Sequence, residues 1–134
     1  MCESLVLMRY LRALPFFVVL AVVLFSGLKP EPVPQVFDQQ DKLHHLLGFA
    51  AFAFTLRLAF PRPHFIWLLL ASLGAALVIE LGQGLLPHRT PSVGDMLANG
   101  LGVLAGWVSS LLVQGWLWRG RSGAERQGGD EVIR

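Results

Sequence analysis

The hydrophobic positions of this chain fall into four long runs, each about as long as a helix that crosses a bilayer. A spanning helix needs about 20 mostly apolar residues. The runs show none of the alternation of apolar and polar residues that is typical of a half-buried strand. Three polar connections containing proline separate the four runs, which favours helices that end there and reverse direction. The pattern predicts an all-α membrane protein, a four-helix transmembrane bundle, with runs at 11–28, 43–60, 65–86 and 96–118.

Composition supports a membrane setting. The 134 residues are 54% hydrophobic and only 15% charged, whereas soluble domains are about 25% charged. A chain of this length forms one domain, and its small core would not remove so many apolar side chains from water. We predict a transmembrane domain over 1–118 and a polar, disordered tail over 119–134. The first run resembles a signal peptide but lacks a cleavage site of small residues, so we expect it to be retained.

Basic residues predict the orientation, because cytoplasmic loops are enriched in lysine and arginine. We expect a multi-pass protein of the bacterial inner membrane with both termini in the cytoplasm. The net charge of +2 is small and follows largely from this topology, so nucleic-acid binding is unsupported. The richer side would hold Arg9, Arg12, Arg57, Arg62, Arg119, Arg121 and Arg126, and the outer side Lys29, Lys42 and Arg89.

A small set of polar residues lies near one end of each of the last three runs. A charged side chain within a membrane helix costs about 2.5–3.5 kcal/mol on insertion scales, so such residues indicate a functional site. Partners three or four positions apart share a helix face. Because successive helices alternate in direction, these ends meet on one side of the membrane. The predicted cluster contains Asp41, Lys42, His45, Glu80, Gln83, Arg89, Asp95 and Asn99.

Two members of this cluster allow more than one interpretation. Asp41 fits the first turn of a helix, where a carboxylate is favourable, or a carboxylate–imidazole pair that orients His45. Glu80 has a short stem and needs a partner, for which Arg89, Lys42 and His45 are the candidates. Pairing would make Glu80 part of a salt bridge between helices or part of a ligand site.

Small residues recur at every fourth position of the last run, below its polar end. Such a face lets another helix approach closely, so Gly102 and Gly106 are predicted to be helix-packing residues. Leucine at Val103 or Val108, outside this face, is expected to be tolerated. The face consists of Ala98, Gly102, Gly106 and Ser110.

Taken together, the motifs over 41–106 resemble the VanZ-like membrane family. The family pattern has Asp-Lys-x-x-His, Glu-x-x-Gln, an arginine and Asp-x-x-x-Asn followed by glycines. One departure is Ser92, at a place where members often have an acidic residue. The resemblance implies a small integral membrane protein of the cell envelope, since the founding member is associated with teicoplanin resistance. The matching residues are Asp41, Lys42, His45, Glu80, Gln83, Arg89, Asp95, Asn99, Gly102 and Gly106.

Three functions remain open from the sequence. In the first, the cluster binds the anionic head group of a membrane lipid or of a lipid-linked envelope precursor through Lys42, Gln83, Arg89 and Asn99. Alternatively, an enzyme uses the candidate catalytic residues Asp41, His45, Glu80 and Asp95 for acid–base chemistry. In the third interpretation the cluster only specifies helix packing.

Accessibility separates these functions, because a binder or an enzyme needs an open cleft whereas a structural network is closed and fully paired. We expect no cofactor and no metal, although the four candidate catalytic residues are of types that ligate one. The sequence leaves the oligomeric state open.

Overall fold

The part of the chain that the structure describes forms four helices. A computed structural model describes residues 2–29, 34, 36–62, 64–86 and 92–132, with side chains for residues 7, 8 and 10–116 among them. No strand occurs in these ranges, which confirms the predicted all-α bundle. The helices are α1 (Cys2–Gly27), α2 (Gln40–Ala59), α3 (Phe65–Gly84) and α4 (Val93–Val132).

Three of these helices are long and apolar enough to cross a membrane. The stretches are Tyr10–Gly27 in α1, Phe65–Gly84 in α3 and Val93–Trp116 in α4. The fourth, α2, has 20 residues, about 30 Å of helix, but charged residues lie near both of its ends. It contacts each of the other three helices, so its polar groups find protein partners.

The α2 helix also forms the centre of the core. Phe49, Phe52 and Ala53 are buried on it, and Phe16 of α1 packs on Phe52 with ring centroids 5.4 Å apart. Many large apolar side chains point outward instead; Phe25, for example, is 74% exposed. Soluble monomers rarely expose such continuous apolar surface, whereas lipid accommodates it.

The most extensive helix contact is between α2 and α4. A Cβ added at Gly102 would overlap the carbonyl oxygen of Leu46, and one added at Gly106 would overlap that of Ala50. The backbones of the two helices therefore touch along the small-residue face. The expectation that leucine is tolerated at Val103 is wrong, because Val103 has no exposed surface and a larger side chain would overpack the core.

The α4 helix runs further than the sequence predicts. It continues to Val132, whereas we expected it to end near residue 118 and a disordered tail to follow. The segment 119–132 contains glycines but no proline. Glycine lowers helix propensity without blocking the backbone hydrogen bonds, which proline does.

Candidate functional site

A hydrogen bond between two helices lies at the centre of the site. His45 Nδ1 is 3.0 Å from Asn99 Oδ1, and it therefore joins the first turns of α2 to those of α4. The imidazole is 10% exposed and Asn99 is fully buried. On the other side of the ring, Nε2 lies 4.0 Å from Asp41 Oδ1. The shared face predicted for Asp41 and His45 thus exists, and Asn99 adds the partner from α4.

The start of α4 is held by a serine and a glutamate. Ser92 Oγ accepts a hydrogen bond from the Gly94 amide at 3.1 Å, so Ser92 caps the helix. The Ser92 amide in turn donates to Glu80 Oε2 at 3.3 Å. The α3 carboxylate therefore lies at the positive end of the α4 dipole, where negative charge is stabilised. We expected Glu80 to pair with Arg89, Lys42 or His45. The structure shows no hydrogen bond or salt bridge from Glu80 to Lys42 or His45, and Arg89 lies outside the described residues.

Lys42 approaches a different acid. Its Nζ is 3.8 Å from Oδ1 of Asp95, with the lysine side chain 41% exposed and the aspartate side chain 6% exposed. A Cβ on Gly94 would lie 2.7 Å from Lys42 Cε, so the lysine stem runs closely over the first turn of α4. A partly exposed pair of this kind is weak, and Lys42 remains available to an incoming anion.

Gln83 ties α3 to the end of α1. Its Nε2 donates to the carbonyl oxygen of Gly27 at 2.8 Å, and its side chain is buried. Gly27 itself sits against Ile79, because a Cβ there would lie 2.7 Å from the Ile79 side chain. The first helix therefore takes part in the site, which its sequence did not indicate.

A cavity of about 350 Å³ opens beside this polar cluster, between α1, α2 and α3. One end is polar, with Asp41, His44, His45 and Gln83, and the remainder is largely apolar. Two apolar lining residues, Val22 and Leu47, are 58% and 55% exposed, so the cavity opens onto the surface that faces lipid. The apolar lining is Val22, Val23, Leu47, Phe49 and Ile79, with Ser26, Gly27 and Gly48 between the helices.

Several buried polar atoms of the cluster lack a hydrogen-bond partner. They are Glu80 Oε1, Asp95 Oδ1 and Asn99 Nδ2. Such atoms are costly and are uncommon in a closed network. Among the described residues of the cluster, three carboxylates also face one lysine, so the described part is acidic.

The structure thus brings seven of the eight predicted cluster residues to one end of the bundle. The eighth, Arg89, lies outside the described residues. Sequence reasoning missed the contributions of His44 in α2 and of Ser26 and Gly27 in α1. No spacing signal marks these three, because each lines the cavity only through the way α1 packs on α2 and α3.

The apolar helices, the central helix α2 and the cavity beside its polar end define a small helical membrane protein with a polar site at one end of the bundle. The VanZ/LLP1 family model matches residues 4–114, most of the chain, and the protein belongs to this family. No curated protein and no solved structure matches the chain.

Proposed function

We propose that the protein binds a membrane lipid or lipid-linked envelope precursor in the cavity between α1, α2 and α3. The observation that carries this proposal is the cavity's two-part lining, with a polar end at Asp41 and His45 and an apolar remainder. An amphiphilic lipid has the same two parts, a hydrocarbon chain that fits the apolar lining and a head group that fits the polar end. The exposed flanks of Val22 and Leu47 let the chain enter sideways from the bilayer.

The head group is proposed to be phosphate-like and to carry hydroxyl or amine groups. The Lys42 ammonium, held only at 3.8 Å by Asp95, turns to an anionic oxygen at little cost. The Asp41 carboxylate, whose side chain is 37% exposed, accepts hydrogen bonds from hydroxyl or amine groups. Arg89 is proposed as a second contact to the anion.

Two features favour binding over a purely structural role. A network that only specified packing would be closed and fully paired, but a cavity adjoins Asp41 and His45. Glu80 and Asn99 also retain buried atoms without hydrogen-bond partners. Both features fit a site that a ligand completes.

Filling the cavity tests the proposal. Purified protein in detergent is irradiated with a photoreactive long-chain polyprenyl phosphate, and the crosslinked fraction is measured by mass spectrometry. We expect Gly48→Leu to lower labelling about tenfold, the loss associated with roughly 1.4 kcal/mol, because its side chain would occupy the cavity. The crosslinked peptides should come from α1, α2 and α3.

The matched control is Gly74→Leu, since a Cβ at Gly74 meets no atom within 4 Å and Gly74 lies outside the cavity. Its labelling should equal that of the unaltered protein. Lys42→Gln should weaken labelling by the phosphate but not by the corresponding neutral alcohol. Equal labelling of the Gly48 and Gly74 variants would refute the proposed cavity.

The polar end is proposed to face outward from the bacterial inner membrane. To test this, Cys2 is replaced by serine and single cysteines are placed at Asp38, just before α2, and at Gln127 in the tail. Asp38→Cys should react with an impermeant maleimide in intact cells, whereas Gln127→Cys should react only after lysis. The reverse pattern would place the site on the cytoplasmic side.

A further inference from the structure

Three potential metal ligands converge in the polar cluster, and two of them, Asp41 and His45, also line the polar end of the cavity. One donor atom each from Asp41, His45 and Asp95 lies within 4.8 Å of the others. We propose that these three side chains bind a divalent transition-metal ion that bridges α2 and α4. This proposal stands on the three residues and does not require the lipid.

The orientation of His45 favours metal binding. Its Nδ1 faces Asn99 Oδ1 at 3.0 Å, and in the neutral tautomer that donates this hydrogen bond the ring proton lies on Nδ1. Nε2 then carries a lone pair toward Asp41 Oδ1, 4.0 Å away. Metal-binding histidines are commonly held in this way, with the second nitrogen donating to a neighbouring oxygen.

Asp95 provides a second indication of a cation-binding site. The residue is 5% exposed, and its Oδ1 is buried without a hydrogen-bond donor. The nearby Lys42 ammonium stands 3.8 Å away, beyond hydrogen-bonding distance. A buried carboxylate in this state is costly unless a proton or a metal ion neutralises it.

The donor set specifies the kind of ion. One imidazole nitrogen and two carboxylate oxygens suit Zn²⁺ or a similar transition metal, whereas Mg²⁺ and Ca²⁺ prefer oxygen alone. Ligand atoms around a tetrahedral zinc ion lie about 3.4 Å apart, given bonds of about 2.1 Å. The three donor atoms would therefore move about 1 Å closer together around the ion. The partly exposed side chain of Asp41 has room for this movement.

Such an ion would also resolve a conflict of charge. The described cluster has three carboxylates, which repel the phosphate-like head group proposed above. A divalent ion neutralises two of them and, with three protein ligands, keeps a coordination position open. A phosphate oxygen can occupy that position.

Metal binding can be measured without any lipid. Tag-free protein in detergent, stripped with a chelator, is titrated with Co²⁺, whose visible absorption reports its coordination, and then with Zn²⁺ as competitor. We expect one Co²⁺ per chain, displaced by Zn²⁺. His45→Gln, Asp41→Asn and Asp95→Asn should each weaken binding at least about a hundredfold, and Asn99→Ala about tenfold, as for outer-shell partners.

Two control variants and one variant that should bind metal more tightly distinguish the loss of a metal ligand from misfolding. Asp38→Asn and His64→Gln change exposed residues outside the cluster and should leave the affinity unchanged. Lys42→Gln should tighten binding about two- to fivefold, because it removes a competing cation worth a weak ion pair. Misfolding would not produce tighter binding.

The proposal is overturned if the unaltered protein binds no Co²⁺, if the ligand variants bind it as tightly, or if Lys42→Gln weakens binding. Lipid labelling repeated with chelator present distinguishes the two proposals. If labelling persists without metal and Co²⁺ binds stoichiometrically, the results support both the lipid cavity and the metal site. Stoichiometric Co²⁺ binding without lipid capture refutes only the lipid cavity.

Discussion

Alanine at Gly106 is expected to destabilise the bundle by about 1–3 kcal/mol, the usual range for overpacking. The added Cβ would overlap the carbonyl oxygen of Ala50 and lie 3.0 Å from the amide nitrogen of Phe54. Both contacts are with the α2 backbone, which cannot rotate away as a side chain can. The helices must therefore separate along their most extensive contact. Unfolding by sodium dodecyl sulfate, followed by tryptophan fluorescence in mixed micelles, measures the loss.

The same helix provides matched controls for this substitution. A Cβ at Gly100 or Gly115 meets no atom within 4 Å, so Gly100→Ala and Gly115→Ala should keep the unfolding midpoint or raise it slightly through helix propensity. Gly106→Leu should abolish the folded protein, whereas Val108→Leu, at a position 42% exposed, should not. Equal losses at Gly100 and Gly106 would show that α4 does not pack on α2 through its glycines.

Removing the ring of Phe52 is expected to cause the second large loss. Phe52 is 4% exposed and packs between Phe16 of α1 at 5.4 Å and Phe49 at 5.8 Å, measured between ring centroids. In soluble proteins Phe→Ala costs about 3–5 kcal/mol. In a bilayer the unfolded helices stay in lipid, so little of the transfer free energy is lost. The loss of stability then comes only from the cavity left behind and from the lost packing contacts. We therefore expect Phe52→Ala to lower the free energy of unfolding by about 1–3 kcal/mol in the same assay.

Phe25 is the matched control, because it is the same residue type on α1 but 74% exposed. Phe25→Ala should leave the unfolding midpoint unchanged, since lipid or detergent replaces the ring. Phe52→Leu should fall between the two because it leaves a smaller cavity. If Phe25→Ala and Phe52→Ala lose the same stability, the assignment of core and lipid-facing sides on α1 and α2 is wrong.

Much of the fold was predictable because the membrane imposes strong length and polarity limits. The runs of apolar residues located all four helices, and the i, i+4 spacing placed Asp41 with His45 and Asp95 with Asn99 on common faces. Boundaries were less predictable. The first turn of α4 contains the charged Asp95, so the helix begins before its apolar run does.

The partners of the polar residues were not predictable from spacing. Three acids and three basic side chains, those of Lys42, His45 and Arg89, allowed several pairings, and distances between helices decide among them. Glu80 accepts from the Ser92 amide, a backbone group that the pattern of side chains does not reveal. The approach of Lys42 to Asp95 likewise follows from the rotation of α2 against α4.

Hydrophobic length and helical spacing are local properties, so the amino-acid pattern alone predicted a helical membrane protein with polar groups gathered at one end. The packing of the helices was needed to show that α2 is the central helix and that α1 forms one wall of the cavity. It was also needed to show that donor atoms of Asp41, His45 and Asp95 lie within 4.8 Å of one another. These features depend on which faces meet, and in lipid that choice is set by close contacts such as those of Gly102 and Gly106 rather than by hydrophobicity.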